Sequence, residues 1–242
     1  MSRLVDYAGL YPPAALSLPE VLDNYRRYLA SEDGWILSRL VLPAAKLGEV
    51  RPGDNWRVTL LVEQDPGPLA PQVETLEYKG GHKLSLPTYC EVPLDQIESG
   101  FAKVRTGGLT PDVIPPAAQI ADFLIQAAAR RLPFKATAGL HHAIRAQRKL
   151  TYAADSPCGV MHGFINVFIA AAFGWYDADR ALILDVLQED NESAFEFRED
   201  EMRWRGNVLT TSQIAAARRD FAHSFGSCSF EEPVADLHAL QP

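Results

Sequence analysis

Eight short runs rich in β-branched and aromatic residues recur along the chain, and helical patterns separate the later ones. They cover Leu4–Ala8, Trp35–Leu42, Trp56–Glu63, Val73–Tyr78, Thr88–Val92, Phe101–Thr106, Pro133–Thr137 and Phe225–Phe230. Proline and glycine punctuate them as turn signals, in YPP at 11–13, RPGD at 51–54, DPGP at 65–68 and KGG at 79–81. Between and after these runs lie helical patterns. Leu18–Ala30 places Val21, Leu22, Tyr25 and Leu29 at three- and four-residue spacing, with Ser17 as its cap and Pro19 and Glu20 in its first turn. Pro116–Arg131, Phe164–Trp175, Ala178–Glu189 and Thr211–His223 read as further helices.

Strands alternating with helices imply an α/β fold with a largely parallel sheet. Eight strands in 242 residues fit a TIM-like (β/α)8 barrel, read here as one domain spanning 1–242. The middle is the strained part of this reading. Between Glu63 and Glu91 two connections are shorter than the dozen or so residues that a parallel crossover ordinarily takes. The barrel is therefore expected to be degenerate there, or to give way to a mixed sheet with a hairpin. The segment FEFREDEMRWRG reads as an exposed β-hairpin inserted around 193–207.

Charge excludes some functions. Basic residues number 23 and acidic ones 31, a formal net charge of −8, and no basic run interrupts this balance. The sequence thus lacks the electrostatic footprint of a nucleic-acid binder or of a protein held on an anionic membrane. Cys90, Cys158 and Cys228 are odd in number and widely spaced, which indicates neither a disulfide framework nor a structural zinc site. Gly159–Tyr176 is apolar but short for a bilayer and carries His162 and Asn166, so it reads as a buried helix. The first residues lack the apolar stretch of a signal peptide. A soluble, cytoplasmic protein is the expectation.

The chemistry concentrates in FAKVRTGG, 101–108. Alternate side chains of a strand share a face, so Lys103 and Arg105 point together, and Gly107 and Gly108 follow at the C-terminal end, where α/β folds keep their active-site loops. Thr106 sits at the turn. The next strand repeats the arrangement in LPFKATAGLHH, 132–142, with Lys135 and Thr137 on one face and Gly139 opening the loop. One helix separates the two runs, which makes them parallel neighbours with the lysines at similar height. At about 6 Å and an effective dielectric of about 20, two ammonium groups repel by about 2.8 kcal/mol, or about two pKa units downward. Burial pushes the same way. A lysine so depressed is a nucleophilic amine suited to Schiff-base formation.

KVRTGG followed some thirty residues later by FKATAGL resembles the two-lysine signature of deoxyribose-phosphate-aldolase-like class I aldolases, a Lys-Thr-Ser-Thr-Gly strand end and then a Lys-Ala-Ser-Gly-Gly one. The resemblance is local, covering some forty residues. It implies that Lys103 forms the imine, that Lys135 tunes it, and that Gly107 and Gly139 turn near a phosphate. Arg105 has no counterpart in that signature, and Leu140, His141 and His142 replace its last glycine. The whole-chain pattern also resembles an uncharacterised bacterial protein family, which implies no activity.

Around the lysines stand further candidates. Glu91 lies just upstream of the Lys103 strand, where a carboxylate can shuttle protons. His141 and His142 diverge in a loop, so one of them faces the site, and His162 with Asn166 at i,i+4 supplies a second general acid or base. If Phe225–Phe230 closes the barrel, Ser227 and Ser229 share a face as small donors for an anion, opposite Cys228. Glu63, Glu77 and Glu91 near three strand ends form an alternative, magnesium-type set, although turn-proximal glutamates are common. Asp6 and Tyr7 end the first strand as further acid/base groups.

The leading expectation is a lysine-dependent, lyase-like enzyme acting on a small anionic carbonyl compound, without a cofactor, with Arg105 gripping the substrate's anionic end. The alternatives are a metal-dependent lyase or hydrolase on the same barrel and a non-catalytic protein that binds an anionic metabolite. A homo-oligomer is compatible with the sequence.

Overall fold

The computed structural model describes residues 2–240. In chain order the elements are β1 (Val5–Tyr7), α1 (Leu18–Leu29), β2 (Leu37–Pro43), β3 (Val58–Val62), β4 (Val73–Tyr78), β5 (Thr88–Cys90), β6 (Phe101–Arg105), α2 (Ala117–Ala129), β7 (Phe134–Thr137), β8 (Ala146–Lys149), β9 (Cys158–Met161), α3 (Phe164–Trp175), α4 (Arg180–Gln188), β10 (Phe195–Phe197), β11 (Glu201–Trp204), β12 (Asn207–Thr210), α5 (Thr211–Asp220), β13 (Ala222–Ser227) and α6 (Glu231–Ala239). The chain forms two compact units. One takes the residues up to Val104 together with Phe134–Thr137 and Ser224–Phe230, and the other takes Arg105–Pro133, Ala138–His223 and the chain from Glu231 onward.

The first unit holds a closed barrel in which the strands follow the order β1, β13, β7, β6, β5, β4, β3, β2. Pairings run parallel, for example Val5 with Phe225, Val41 with Thr59, Leu61 with Glu77 and Glu77 with Tyr89. This is the TIM-like α/β barrel expected from the sequence, and each of the eight β-rich runs supplies one of its strands. The degeneracy lies outside the strands. No α-helix interrupts β2 through β6, whose connections are loops and short 3-10 turns, so these strands stay parallel without the usual crossover helices. The hairpin alternative for the middle does not occur.

Alternation sorts the side chains. Val5, Tyr7, Leu40, Leu42, Val58, Leu60, Leu76, Phe134, Ala136 and Phe225 are buried, and α1 adds Val21, Tyr25 and Tyr28. Helix α1 starts where the sequence reads: the Ser17 Oγ accepts from the Glu20 backbone N–H, and the Glu20 carboxylate accepts from the Ser17 N–H at 2.9 Å. The opposite strand face carries Asp6, Thr59, Thr75, Glu77, Lys103 and Lys135, all buried. Thr59 and Thr75, paired in register, share a hydrogen bond of 2.7 Å between their hydroxyls. Bulky branched side chains ordinarily fill such an interior. Here it is polar and charged.

The second unit contains α2, α3, α4, α5 and α6 and two small antiparallel sheets. The apolar stretch that begins at Gly159 contributes to β9 and then forms α3, whose residues from Phe164 to Gly174 are buried. Among the described residues no helix is long and apolar enough to cross a membrane. Two details correct the sequence reading. The insertion is a three-stranded meander, β10–β11–β12, and a second hairpin, β8–β9, went unread. The helix read as Thr211–His223 stops at Asp220, because the buried Phe221 turns to stack on Trp175, with ring centroids 5.2 Å apart.

Candidate active site

The charged groups of the barrel unit converge. Glu77, near the end of β4, bridges two lysines on neighbouring strands: its Oε2 lies 2.6 Å from Lys103 Nζ on β6 and its Oε1 2.6 Å from Lys135 Nζ on β7. Lys103 also meets Glu91 at 2.7 Å, just beyond β5. Lys135 also meets Asp6 on β1 at 2.5 Å, and Ser224 on β13 donates to the same Asp6 oxygen at 2.8 Å. The Tyr89 ring lies 5.5 Å from the Lys135 ammonium, a further contact of cation–π type. The side chain of Lys135 is 1% exposed and that of Lys103 5%, whereas Glu91 keeps 20%. Glu91 is therefore the wettest member of the network.

The electrostatics differ from simple lysine–lysine repulsion. Burial alone would lower the Lys135 pKa, but Asp6 and Glu77 outweigh it and hold the ammonium above the ordinary lysine value. Burial pushes Glu77 up, yet Lys135 and Lys103 bring it below the usual carboxylate range, and Asp6 is lowered in the same way by Lys135 and Arg39. A carboxylate sits between the two amines, so the repulsion expected from the sequence is screened at its source. Lys135 is a fixed cation.

Another ion cluster stands nearer the strand starts, where Arg39 and Arg57 each donate through Nε to one oxygen of Glu74, at 2.9 and 2.8 Å. Over both clusters, Arg39, Arg57, Lys103 and Lys135 match Asp6, Glu74, Glu77 and Glu91 in formal charge. Such groups are retained only when each finds partners, because taking an unpaired ion from water costs several kcal/mol.

Thr137 closes β7, and Gly226 on β13 stands in register with Asp6, on the interior face. A β-carbon added at Gly226 would meet only the Thr137 Oγ1, at 3.6 Å, so the wall is open there. The closing strand occupies Ala222–Ser227 instead of Phe225–Phe230, which changes the serines. Ser224 supplies the inward hydroxyl. Ser227 alternates to the face opposite Asp6 and accepts from the Ser229 N–H at 3.3 Å in the turn that follows. Ser229 lies beyond the strand, and Cys228 is buried.

Within the second unit the remaining candidates have partners of their own. Arg105 is exposed at the end of β6. Thr106 donates to the Ala138 carbonyl at 2.5 Å. Gly107 and Gly139 touch backbone to backbone: a β-carbon on Gly139, whose φ is 78°, would lie 2.8 Å from the Gly107 Cα. Close approach explains both glycines without any ligand. At Gly108 an added β-carbon would meet the Val113 side chain at 2.4 Å. His141 and His142 do diverge, but both bond to α6, through Nδ1 to Glu232 at 2.7 Å and to Asp236 at 3.1 Å.

His162 is buried, its Nε2–H donating to the Pro115 carbonyl at 2.8 Å, and desolvation lowers its pKa. Asn166 accepts from the Arg145 N–H at 2.9 Å and donates to the Val186 and Glu189 carbonyls at 2.8 Å each. Its amide is fully engaged in holding the chain together.

The structure brings Lys103, Lys135 and Glu91 into one network. From the sequence Asp6 stands only among the further acid/base groups and Glu77 only in the alternative magnesium-type set, and nothing there points to Ser224. Glu63 is exposed, apart from the buried set. Among the described residues no group of three or more histidines, cysteines, aspartates and glutamates is arranged to hold a metal ion. Compared with family models, curated proteins and solved structures, the chain matches none.

Proposed function

We propose that the barrel is a lysine-dependent enzyme that forms an imine between Lys103 and a small carbonyl substrate. The observation that carries this reading is Glu77, one buried carboxylate joining two amines on adjacent strands inside the barrel. Glu74 also joins two cations, but both are arginines, which stay charged, whereas Lys103 and Lys135 carry amines that can give up a proton. A second lysine, held at the same carboxylate and also against the wetter Glu91, suits chemistry at its amine.

The roles divide by burial. Lys135, sealed between Asp6 and Glu77, stays charged and keeps Glu77 ionised. Lys103 becomes nucleophilic by passing a proton along its 2.7 Å contact to Glu91. In water that transfer opposes about six pKa units, or about 8 kcal/mol. Exclusion of water by a bound substrate favours the neutral pair over the ionic one and reduces the gap. The amine then attacks the carbonyl carbon, and the substrate oxygen becomes a hydroxyl. Glu91 returns its proton as that hydroxyl leaves. Lysine ammonium and carbonyl thereby become a protonated imine and one water, with charge unchanged.

The resemblance of KVRTGG and FKATAGL to the strand ends of class I aldolases supports the same assignment, as does the position of those two strands side by side in the barrel. A lyase-like cleavage or formation of the bond next to the imine carbon follows from an iminium's capacity to accept electrons.

The test is borohydride reduction in the presence of pyruvate, dihydroxyacetone phosphate, glyceraldehyde 3-phosphate and propanal, followed by intact mass measurement and peptide mapping. An adduct on Lys103, absent in Lys103→Ala, is the expected result. An adduct on Lys135 alone would reverse the roles. No adduct from the panel, with thermal stabilisation by the same anions, would favour a protein that binds metabolites without reacting with them.

A further inference from the structure

Among the described residues of the barrel unit, two buried side-chain polar atoms lack a hydrogen-bond partner, Arg57 Nη1 and the phenol oxygen of Tyr11, and only the second belongs to an uncharged group outside the ion clusters. The loop after β1 carries Tyr11, whose phenol oxygen is buried and has no hydrogen-bond partner. The loop is itself well tied: the Tyr11 N–H donates to the Ala8 carbonyl at 2.9 Å, and the Tyr11 carbonyl accepts from the Ala15 N–H at 3.0 Å. The backbone of the loop is thus held in place, while the hydroxyl at the tip of the ring makes no hydrogen bond. A buried hydroxyl without a partner costs stability, so it calls for an explanation outside the fold.

Its surroundings supply one. Tyr11 follows β1 at the C-terminal end of that strand, the end of the barrel where Glu77, Glu91 and Thr137 close their own strands or loops. Burial holds the phenol well above its ordinary value, and the charge of Glu77 adds to this. The group is therefore a neutral O–H donor at any physiological pH, within electrostatic reach of the carboxylate that carries both lysines. The carboxylates there are all engaged by cations: Glu77 by Lys103 and Lys135, Glu91 by Lys103, Asp6 by Lys135. As ionised carboxylates they carry no hydrogen to offer an incoming oxygen, and Lys103 and Lys135 each commit two of their three N–H groups to them. A carbonyl oxygen that turns into an alkoxide needs such a donor.

We propose that the Tyr11 hydroxyl donates a hydrogen bond to the substrate oxygen that becomes the hydroxyl of the carbinolamine, making Tyr11 a further catalytic residue. This rests on the reading of Lys103 as the imine-forming amine. No proton is consumed at the phenol. It stabilises negative charge on the oxygen while the two protons of the departing water come from the Lys103 ammonium, one of them by way of Glu91.

The experiment compares wild-type protein, Tyr11→Phe and Lys103→Ala for the rate of borohydride-trapped adduct with the same carbonyl panel, alongside urea denaturation. Tyr11→Phe removes one unpartnered oxygen, so its urea midpoint is expected to stay or rise. Its trapping rate is expected to fall by about 10²-fold, the usual cost of a lost oxyanion donor. Replacement of Tyr11 by 3-fluorotyrosine, a more acidic phenol, is expected to move the alkaline limb of the trapping rate to lower pH, which a merely structural ring would not do. Wild-type protein that traps a carbonyl as fast as Tyr11→Phe would overturn the proposal and leave Lys103 in place. Wild-type protein that traps none would overturn both. A Tyr11→Phe variant with a lowered urea midpoint and an unmoved fluorotyrosine profile would show a packing role only.

Discussion

Lys135 and Asp6 meet across the barrel wall, on β7 and β1 with β13 between them, at 2.5 Å and with both side chains essentially sealed from water. Removal of either partner strands a buried charge, and such losses run to about 3–5 kcal/mol. Asp6→Asn and Lys135→Met are each expected to destabilise the protein on that scale in urea unfolding. The double variant should cost less than the sum, because the second change removes the charge that the first left bare. Additive costs would show that the pair acts through separate neighbours.

The pH dependence follows from the same groups. Asp6 and Glu77 are depressed in the folded state. Their stabilisation is present above the unfolded values of about 4 and is lost as pH falls through the lower folded ones. Lys135 is raised, so its share is complete below about 10.4 and is lost as pH rises through its folded value. A plateau of stability between those limits is expected from urea midpoints measured across pH. His162, depressed by burial, adds an acid shoulder that starts below about 6.5. His162→Gln should lack that shoulder and keep the steeper loss below pH 4.

Gly139 and Gly67 share a similar backbone, with φ of 78° and 71°, but only Gly139 is crowded, by the Gly107 Cα. Gly67→Ala therefore pays the left-handed backbone cost alone, about 1–2 kcal/mol. Gly139→Ala adds a clash with main chain that no side-chain rotation relieves. Its unfolding free energy should drop by distinctly more than that of Gly67→Ala. Equal losses would mean that the two loops yield freely.

Asn166→Ala leaves two carbonyls without donors and the Arg145 N–H without its acceptor. The expected cost is about 3 kcal/mol. Asn166→Asp keeps the acceptor but sets a carboxylate against the Val186 and Glu189 carbonyls, so it should be worse than alanine at neutral pH. Thermal or urea unfolding of the two variants decides the order.

How much of this was legible can be argued residue by residue. Every barrel strand was readable because its apolar face packs outward and its ends carry proline or glycine. Lys103 and Lys135 stood out as charges inside such strands. Asp6 and Glu77 have the same property, yet a single acidic residue in a strand reads as an exposed edge until the register shows which amine it faces. Ser224 was hidden by the boundary of β13, since Phe221 ends α5 through a stacking contact with a residue far away in sequence. Glycines near a lysine suggested a ligand, whereas Gly107 and Gly139 are explained by each other. The partners of His141 and His142 lie in α6, some ninety residues on, a pairing no local pattern reveals.

The pairing of β1 with β13 has a consequence for synthesis. Of the barrel strands β1 is made before all the others, and it acquires its second neighbour only when Ser227 has been made. At about 5–20 residues per second that delay is on the order of ten to forty seconds. Throughout it β1 is an open edge, three residues long, with Asp6 in the middle and no Lys135 or Ser224 yet fixed beside it. A short strand carrying a bare carboxylate is a poor template for pairing with other chains. The residue that later anchors the buried lysine thus first serves the nascent chain as a guard against aggregation.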